Sequence, residues 1–314
     1  MPRSPVVWLV VSSFRNDQQI VTILERVHGL HVRLFDCVLV VDSLGTGQIP
    51  AAIAHRGWKH VIYRCYDRNL GSAGNLAERL RIAAEGGADF AYALNHDGNL
   101  QPQVFDCLLN HAIHLDRVGA VYPIAYFRGA AAYNLTGTRE LPISARFVNQ
   151  RPPCSLMDAY WSSSNGALYA LEPVRAGLLP CADLWMGWED LEYGWRLMDH
   201  GYRQVIACDA LFDDNYEYIR NSAELDGIRI VNKPSWLTYY SVRNLILIVR
   251  RARPVMKFEV LVGIRIILES LLIFLFRPTK RARLRFLLQG VVDGLKNRTG
   301  KWVLPPDSTP ERRS

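Results

Sequence analysis

Apolar and polar positions alternate along the first part of the chain in a way that predicts short buried strands separated by helices. The predicted strands cover residues 6–12, 37–41, 60–65, 89–94 and 119–122. The predicted helices between them cover residues 18–27, 49–55 and 75–85. Strands that alternate with helices of this length form right-handed βαβ units, so the pattern predicts an α/β fold with a largely parallel sheet.

The alternation ends after the fifth predicted strand. Residues 126–153 contain Gly, Pro and Thr without a clear period, which predicts an irregular connection. We therefore divide residues 1–250 into a Rossmann-like nucleotide-binding half, about residues 1–123, and a less regular half, about residues 124–250. A chain of 314 residues has enough material for such a unit and a further segment.

Beyond Pro254 the chain becomes strongly apolar, with isolated charges. Residues 255–276 predict a helix in which Lys257, Arg265 and Glu269 occupy about a third of the circumference, too many charges for a comfortable membrane span. Arginines interleaved with leucines and phenylalanines follow. Residues 251–304 thus predict basic amphipathic helices that lie on a membrane, and a pair of core helices with a solvated basic side is the alternative. The last residues, 305–314, predict a disordered tail.

The charge distribution predicts an anionic partner for this end of the chain. The net charge is +7, but residues 250–314 hold 15 Lys and Arg against 5 Asp and Glu, so the preceding part is slightly acidic. Such asymmetry is typical of proteins that bind an anionic membrane surface or a nucleic acid. The periodic apolar residues favour the membrane, because a nucleic-acid surface needs charge without a wide apolar face.

The N-terminus indicates the compartment. Residues 5–11 are apolar, but only Arg3 precedes them and no small-residue cleavage pattern follows, so they predict a first strand rather than a secretion signal. The expected location is the cytoplasm, with peripheral association at the inner face of the cell membrane.

Cysteine and histidine spacing predicts no structural metal site. The six cysteines are scattered without a Cys-x-x-Cys pair, so we predict reduced and mostly buried thiols. His111 and His114 are three residues apart on a predicted helix, but no Cys or carboxylate recurs at ligand spacing. A partly exposed helix surface is the prediction for these two histidines.

One candidate site follows the predicted strand 89–94. Asn95, His96 and Asp97 come directly after it, at the edge of the sheet where ligands bind in open α/β folds. A carboxylate with a nearby amide and imidazole can hold a hard divalent cation whose other ligands are water and a diphosphate. Asn, Asp and Gly are also the usual turn residues, so plain turn chemistry is the alternative.

A second candidate lies within residues 185–196. Glu189, Glu192 and Arg196 are three and four residues apart and share a helix face, whereas Asp190 points elsewhere near the helix start. An acid at a helix N-terminus is stabilised by the helix dipole, so Asp190 has two interpretations, a helix cap or a functional carboxylate.

In their order along the chain, these motifs resemble the inverting family 2 glycosyltransferases with the GT-A fold, especially bacterial rhamnosyl- and galactofuranosyltransferase-like members. The matching segments are Val-Leu-Val-Val-Asp-Ser at 38–43, Asn-Leu-Gly-Ser-Ala-Gly-Asn at 69–75, Asn-His-Asp at 95–97, Trp-Glu-Asp at 188–190 and Tyr-Tyr-x-x-Arg-Asn at 239–244. The resemblance extends over about residues 6–300. The ordered set is specific, although each segment alone is weak.

The resemblance implies a role for each matching residue. The donor-binding residues would be Ser12, Asp42, Asn69, Gly71, Gly74, Asn75, Asn95 and His96. The acceptor-binding residues would be Asn165, Gly166, Trp188 and Arg243. Asp97, Asn95 and Asp213 would bind Mg²⁺ or Mn²⁺. Asp190, beside Glu189, would be the catalytic base that takes the proton of the acceptor hydroxyl.

Three departures from the family pattern affect these roles. Asn95 stands where the metal motif has its first Asp, which removes one anionic ligand. Many relatives supply a His some twenty residues after the Glu-Asp pair, whereas this chain has none between Gly201 and Ser314, and Asp213 is the suggested substitute. Ser43 replaces the Asn that commonly follows the nucleoside-binding Asp, which leaves the nucleobase open.

The implied activity is the transfer of one sugar, with inversion, from a nucleoside diphosphate sugar to a lipid-linked glycan acceptor in cell-surface polysaccharide synthesis. The donor would be dTDP-rhamnose or a UDP-sugar such as UDP-galactofuranose. One base without an enzyme nucleophile implies inversion by direct displacement. The alternative is a non-catalytic GT-A-like scaffold of a polysaccharide assembly complex, against which the retained Glu189 and Asp190 speak.

Overall fold

The computed structural model describes most of the chain. The described residues are 3–30, 33–127, 132–137, 143, 145–148, 150–214, 223–225, 228–230, 233–252 and 256–304. The strands are β1 Val7–Ser13, β2 Cys37–Ser43, β3 Val61–Tyr66, β4 Phe90–Leu94, β5 Val118–Phe127, β6 Ala132–Thr136, β7 Ala145–Val148, β8 Leu156–Asp158, β9 Ala167–Ala170, β10 Arg203–Asp213, β11 Ala223–Leu225 and β12 Ile228–Ile230. The helices are α1 Asp17–His28, α2 Gln48–Arg56, α3 Gly71–Glu85, α4 Pro102–Ile113, α5 Glu172–Arg175, α6 Glu189–Asp199, α7 Leu237–Ala252, α8 Met256–Phe276 and α9 Lys280–Leu295.

The first half of the chain forms the predicted parallel sheet. Its strand order is β3-β2-β1-β4, and Val10 of β1 pairs in parallel with Leu39 of β2 on one side and Ala93 of β4 on the other. β1 and β2 are almost wholly buried because helices cover both faces of the sheet. The prediction of alternating strands and helices is confirmed for this half.

The second half is mixed rather than parallel. β9 lies between β4 and β5 and is antiparallel to both, whereas β10 is parallel to β5, and β8 closes that edge of the sheet. Two antiparallel strands, β6 and β7, lie within residues 126–153, where the sequence predicted only irregular connection. That prediction was wrong because strands of four or five residues with turn residues between them give no clear period.

Two apolar clusters hold the helices on the sheet. On one face, α1 and α4 pack through residues such as Ile20, Leu24 and Leu108. On the other face, α3 and α6 pack through residues such as Leu80 and Leu197. The helices α3 and α6 therefore share a face, and their N-terminal ends approach the same edge of the sheet.

Two of the C-terminal helices pack closely together. α7 is buried along nearly its whole length, and α9 approaches it at two glycines. A Cβ atom at Gly290 would lie 2.7 Å from the carbonyl oxygen of Tyr239, and one at Gly294 would lie 3.0 Å from Ile246 Cβ. The Tyr239 hydroxyl also donates a 2.8 Å hydrogen bond to the buried Asp293. The two helices therefore form one packed unit.

The polarity of α8 differs from the amphipathic stripe that the sequence predicted. Lys257 is exposed as expected, but Arg265 and Glu269 are only partly exposed, and the Arg265 guanidinium lies 5.1 Å from the Trp188 ring. The exposed large apolar side chains of α8 are Met256, Val260, Ile264, Ile267, Leu268, Leu271, Phe274, Leu275 and Phe276. Two of the four charged residues of this helix thus turn inward while many of its apolar residues face out. No helix in the described part of the chain has the length and apolar content that a membrane crossing needs.

The thiols are less buried than predicted. All six cysteines are free, and only Cys37 and Cys208 are fully buried, whereas Cys65 and Cys154 are exposed. The predicted disordered tail, residues 305–314, lies outside the described residues.

Candidate active site

The strand directions bring the predicted polar residues to one edge of the sheet. The carboxyl ends of β1, β2, β4, β5 and β10 share this edge because these strands run in the same direction. The antiparallel β9 begins at it, since its Ala167 pairs with Ala93 of β4. The predicted residues that this arrangement collects are Ser12, Asp42, Asn95, His96, Asp97, Asn165, Gly166 and Asp213. We call this the carboxyl edge.

Asp42 is fully buried at the end of β2. The Tyr63 hydroxyl donates a 2.7 Å hydrogen bond to Oδ2, and Oδ1 has no hydrogen-bond partner among the described residues. A Cβ atom at Gly45 would lie 2.3 Å from Oδ2, so the chain after β2 needs glycine to pass over the carboxylate. One oxygen of Asp42 is thus fixed by the protein and the other keeps its acceptor capacity.

A chain of hydrogen bonds crosses the carboxyl edge through Asn165. The backbone N–H of Asn95 donates to Asn165 Oδ1 at 3.0 Å, and Asn165 Nδ2 donates to Asp214 Oδ1 at 3.2 Å. The Ser12 hydroxyl lies 3.4 Å from Asn95 Oδ1. A Cβ atom at Gly98 would lie 2.7 Å from Asn165 Oδ1, so the turn after Asp97 can close only with glycine. Asn165 therefore orients the loop rather than facing an open cleft.

Asp213 is held beside the same loop. The Gln101 side chain donates to the carbonyl of Asp213 at 3.2 Å and accepts from its N–H at 3.1 Å. Asp97 and Asp213 are both partly exposed, and the chemistry of the donor set is right for a hard cation, since carboxylate and amide oxygens predominate. The donor atoms of Asn95, Asp97 and Asp213 are of the type that a hard divalent cation prefers, and their role as metal ligands stays a prediction.

The glycine-rich start of α3 serves the protein's own backbone. Gly71 has φ +69°, and a Cβ atom there would lie 2.0 Å from the Trp185 carbonyl oxygen, which accepts a hydrogen bond from Ala73 N–H. The Asn69 side chain caps the turn by accepting from Gly71 N–H at 2.9 Å. Glycine is therefore needed at position 71 because the segment before α6 passes close to its backbone. The sequence had suggested a different reason, the close approach of a nucleotide.

Asn75 and Gly74 also have structural surroundings. The buried Asn75 side chain donates to the Val41 carbonyl at 3.0 Å and so ties α3 to β2. A Cβ atom at Gly74 would touch Leu70 and Ala182 at ordinary contact distances. The predicted donor role of these two residues stays a prediction.

Arg79 is a fully buried cation that the sequence did not single out. Its Nη1 donates to the carbonyl oxygens of Val10 and Leu94 at 3.1 and 3.0 Å, which ties the neighbouring strands β1 and β4 to α3. Burial lowers its pKa, and the negative charges of Asp190 and Glu189 are among the influences that oppose this. Arg79 thus supplies positive charge to the interior beneath the α6 carboxylates.

Glu189 and Asp190 begin α6 above the carboxyl edge. Glu189 is buried and accepts hydrogen bonds from the Ser72 hydroxyl and from backbone N–H groups of Glu189 and Gly187, yet burial raises its pKa. Burial and the Glu189 charge raise the pKa of Asp190, although Ser164 hydrogen bonds to its carboxylate. Asp190 Oδ1 has no hydrogen-bond partner among the described residues. A carboxylate with a raised pKa and a free acceptor atom is suited to take a proton.

Two predicted acceptor residues have different positions. Trp188 is partly exposed, lies edge-on to Trp161 at 5.9 Å and is the left-handed residue just before α6, with φ +66°. Arg243, also predicted to bind the acceptor, is fully buried, and this role stays a prediction. Its guanidinium donates to the carbonyl oxygens of Leu184 and Gly300 at 2.7 and 2.5 Å. Gly166 has φ +79° and lies against the Phe212 ring, which fixes the turn into β9.

A cavity of about 670 Å³ opens at the same edge. It lies between the start of α1 and the loops after β2 and β4, and its lining includes Arg15, Asp17, Arg26, Thr46 and Gly98. The Thr46 hydroxyl donates to Asp17 Oδ2 at 2.5 Å, while Asp17 Oδ1 is buried without a partner among the described residues. A polar cavity of this size is sufficient for a nucleotide-sized ligand.

Sequence reasoning missed several residues that complete the site. These are Arg79, Tyr63, Ser72, Ser164 and Asp214. A signal existed for Asp214, since it directly follows Asp213. The others became visible only when the folded chain placed them against a predicted residue.

The chain has an α/β fold built on a central mixed sheet. No protein-family profile and no curated protein sequence matches the chain. Among solved structures, the chain is similar to the mannosyltransferase PcManGT from Pyrobaculum calidifontis in complex with GDP-Man and Mn²⁺, with 13% identity over 94% of this chain and 88% of that chain and a TM-score of 0.55. It is also similar to S. aureus TarS 1-349 in complex with UDP, with 11% identity over 79% of this chain and 66% of that chain and a TM-score of 0.52.

A third similar structure is S. aureus TarS 1-349 in complex with UDP-GlcNAc, with 12% identity over 79% of this chain and 67% of that chain and a TM-score of 0.51. At these identities the similarities show the fold, and they confirm the predicted α/β fold of the GT-A type with its central sheet. They carry no information on a rhamnosyl- or galactofuranosyltransferase subgroup.

We expect Asp190→Asn to stabilise the protein at neutral pH. A folded-state pKa above the unfolded value means that the native carboxyl keeps its proton while the unfolded one ionises, so wild-type stability falls as pH rises through that window. The asparagine side chain does not ionise, so the variant does not lose stability in this way. Because a tenfold change in a protonation constant equals about 1.4 kcal/mol, the gain at pH 7 is ~1 kcal/mol or more. Urea unfolding at pH 7 and pH 3.5 measures it, and the gain should vanish at the lower pH. An equal gain at both pH values would contradict the raised pKa of Asp190.

Proposed function

We propose that this protein is an inverting, metal-dependent glycosyltransferase that transfers one sugar from a nucleoside diphosphate sugar to a glycan acceptor. The observation that carries this proposal is Asp190, whose pKa is raised by burial and whose buried Oδ1 has no hydrogen-bond partner among the described residues, positioned over the carboxyl edge. The similar structures, bound to GDP-Man with Mn²⁺, UDP or UDP-GlcNAc, support a nucleotide-sugar donor.

Asp190 is the proposed general base. In its ionised form, Oδ1 takes the proton of the acceptor hydroxyl as that oxygen attacks the anomeric carbon of the donor. Ser164 fixes the carboxylate through its hydroxyl and N–H, so the acceptor oxygen keeps a set direction. A single base without an enzyme nucleophile leads to inversion at the anomeric carbon. Glu189, buried beside it, keeps the pKa of Asp190 high and so makes it a stronger proton acceptor.

The proposed donor site spans the carboxyl edge and its cavity. Oδ1 of Asp42, which is buried and has no hydrogen-bond partner among the described residues, is the proposed acceptor for a nucleoside hydroxyl or base N–H. Asp97, Asn95 and Asp213 would hold Mg²⁺ or Mn²⁺, which when bound stabilises the charge of the leaving diphosphate. His96 adjoins this set in the same turn.

The exposed apolar face of α8 supports a lipid-linked acceptor and docking at the inner membrane surface. Apolar side chains such as Ile267, Leu271 and Phe274 are more than half exposed, and residues 250–314 carry the excess of basic charge. Apolar area beside basic residues binds anionic lipid. Arg265 of the same helix contacts Trp188, which directly precedes Glu189. A lipid-bound acceptor would therefore be held near the proposed base.

We expect Asp190→Asn to lower kcat by about 10²–10⁴-fold, the usual contribution of a positioned base, with little change in nucleotide binding. Asp183→Asn, an exposed acid in the segment before α6, serves as the matched control and should keep wild-type kcat. Wild-type kcat should decline as pH falls through the raised pKa of Asp190. This decline should occur at a higher pH than the usual pKa of an aspartate. Wild-type turnover by Asp190→Asn would exclude this residue as the base.

We expect metal-dependent nucleotide binding that requires Asp97. Isothermal titration of UDP, TDP and GDP, with and without Mn²⁺ or Mg²⁺, should detect one nucleotide that binds wild type and the exposed control Asp67→Ala equally. Asp97→Ala should bind it at least tenfold more weakly, because a carboxylate is the strongest ligand of a hard cation. If the folded protein binds none of the nucleotides, the scaffold interpretation replaces the transferase.

We expect the triple variant Ile267→Ser, Leu271→Ser and Phe274→Ser to bind anionic vesicles at least tenfold more weakly than wild type. Each substitution removes an exposed apolar side chain that lipid would cover, at ~25 cal/mol per Å². Vesicle sedimentation with phosphatidylglycerol vesicles measures the binding. Ile113→Ser, at the end of α4, is the control for an exposed apolar residue elsewhere. Equal sedimentation of both variants would show that α8 is not the docking surface.

A further inference from the structure

A second group of ligand-type side chains lies between α4 and β10. Cys107 Sγ, a ring nitrogen of His111 and a carboxylate oxygen of Asp209 all lie within 4.8 Å of one another. His111 Nε2 is 3.0 Å from both oxygens of Asp209. Cys107 and His111 are partly buried and Asp209 is exposed, so the group borders solvent. It is separate from the metal-type residues of the carboxyl edge.

The helix and an irregularity in the strand create this group. Cys107 and His111 are four residues apart on α4, which places them one above the other on the same face. The register of β10 against β5 shifts between Ala207 and Leu211, as a β-bulge does. Because of this shift, Asp209 contacts α4 and the next residue, Ala210, packs into the cluster on that same face. The bulge turns a carboxylate toward the helix, which a regular strand would not do at two successive positions.

We propose that Cys107, His111 and Asp209 form a binding site for one divalent transition-metal ion, with zinc the best match. Zinc takes thiolate, imidazole and carboxylate ligands in tetrahedral geometry, and three protein ligands leave one position for water or another ligand. The thiolate and imidazole select against Mg²⁺ and Ca²⁺, which prefer oxygen. The site is therefore chemically different from the oxygen-rich set around Asp97.

Burial, together with the nearby Asp209 charge, raises the pKa of the Cys107 thiol to about 11, so the thiol must lose its proton before it can bind a metal ion. A divalent cation among the three side chains displaces the thiol proton into solvent and compensates the carboxylate. Without the cation, His111 and Asp209 contact each other directly.

A metal ion here would connect two elements that lead to the carboxyl edge. α4 begins just after the loop that holds Asp97, and β10 ends at Asp213, four residues beyond Asp209. An ion bound by α4 and β10 would fix their relative position and so brace the loop and the strand end. The inference rests on these three side chains and is independent of the proposed transferase activity.

Titration of the whole chain with Co²⁺ tests the site directly, since a thiolate ligand gives a sulfur-to-cobalt charge-transfer band that oxygen ligands do not. We expect one Co²⁺ to bind with this band and an excess of Zn²⁺ to remove it. Cys107→Ser should lose the band. His111→Ala and Asp209→Asn should weaken Co²⁺ binding by more than ~100-fold, because the loss of a ligand costs more affinity than the loss of a residue that only supports a ligand.

Matched controls separate this site from others in the chain. Asp106→Asn changes an exposed residue of α4 and His114→Ala an exposed residue directly after it, and both should leave the titration unchanged. Cys154→Ser tests the thiol that lies 3.8 Å from Cys208, and Asp97→Ala tests the carboxyl edge. Both should keep the band. Far-UV circular dichroism verifies the fold of each variant.

Zn²⁺ should also raise the Tm of wild type and of the controls, by mass action on the folded state, but not that of the ligand variants. Absence of the charge-transfer band in folded wild type would overturn the proposal. Its retention in Cys107→Ser, or its loss in Cys154→Ser, would also overturn it.

Discussion

One buried cation, the Arg79 guanidinium, lies where the sheet, α3 and the α6 carboxylates meet. It satisfies the carbonyl oxygens of Val10 and Leu94 inside the protein, where an unpaired carbonyl is costly. It also supplies the positive charge that opposes the accumulation of negative charge at Glu189 and Asp190. The ordering of the strand ends and the position of the acids thus depend on the same side chain.

The segment that leads into α6 is held in a conformation that a free chain avoids. Trp185 and Trp188 have φ values of +61° and +66°, which cost free energy in residues with large side chains. The Asn244 side chain donates to the carbonyl oxygens of Leu184, Met186 and Gly187 at distances of 2.8 to 3.1 Å. These hydrogen bonds from α7 offset the strain, so the direction of Asp190 is set by a helix distant in sequence.

The sequence predicted the first half well and the second half poorly, for physical reasons. β1, β2 and β4 are buried on both faces, and such continuous apolar runs are recognisable without a structure. The position of Asp42, Asn95 and Asp97 at the carboxyl edge followed from those strand ends. The antiparallel strand β9 could not be predicted, since a run of four buried residues does not indicate in which direction a strand runs in the sheet.

The missed site residues have a common cause. Arg79 looks like one more charged residue of an amphipathic helix, and only the packing of α3 on the sheet shows that its guanidinium is enclosed. Arg243 is the opposite case, because its motif suggested ligand binding whereas its buried guanidinium donates to the carbonyl oxygen of Leu184. The partner of His111 was one helical turn away at Cys107, and the second came from a bulge that no periodicity reveals.

The contacts of α7 have a practical consequence for shortened forms of the protein. The predicted boundary at residue 250 lies inside α7. The Tyr240 hydroxyl and the Arg243 guanidinium bind the backbone carbonyls of Val303 and Gly300, so a chain cut at that boundary would lack partners for two buried polar side chains. Removing the C-terminal helices would therefore damage the support of Asp190 as well. A more soluble form is better obtained by replacing side chains on the outer face of α8 than by truncation.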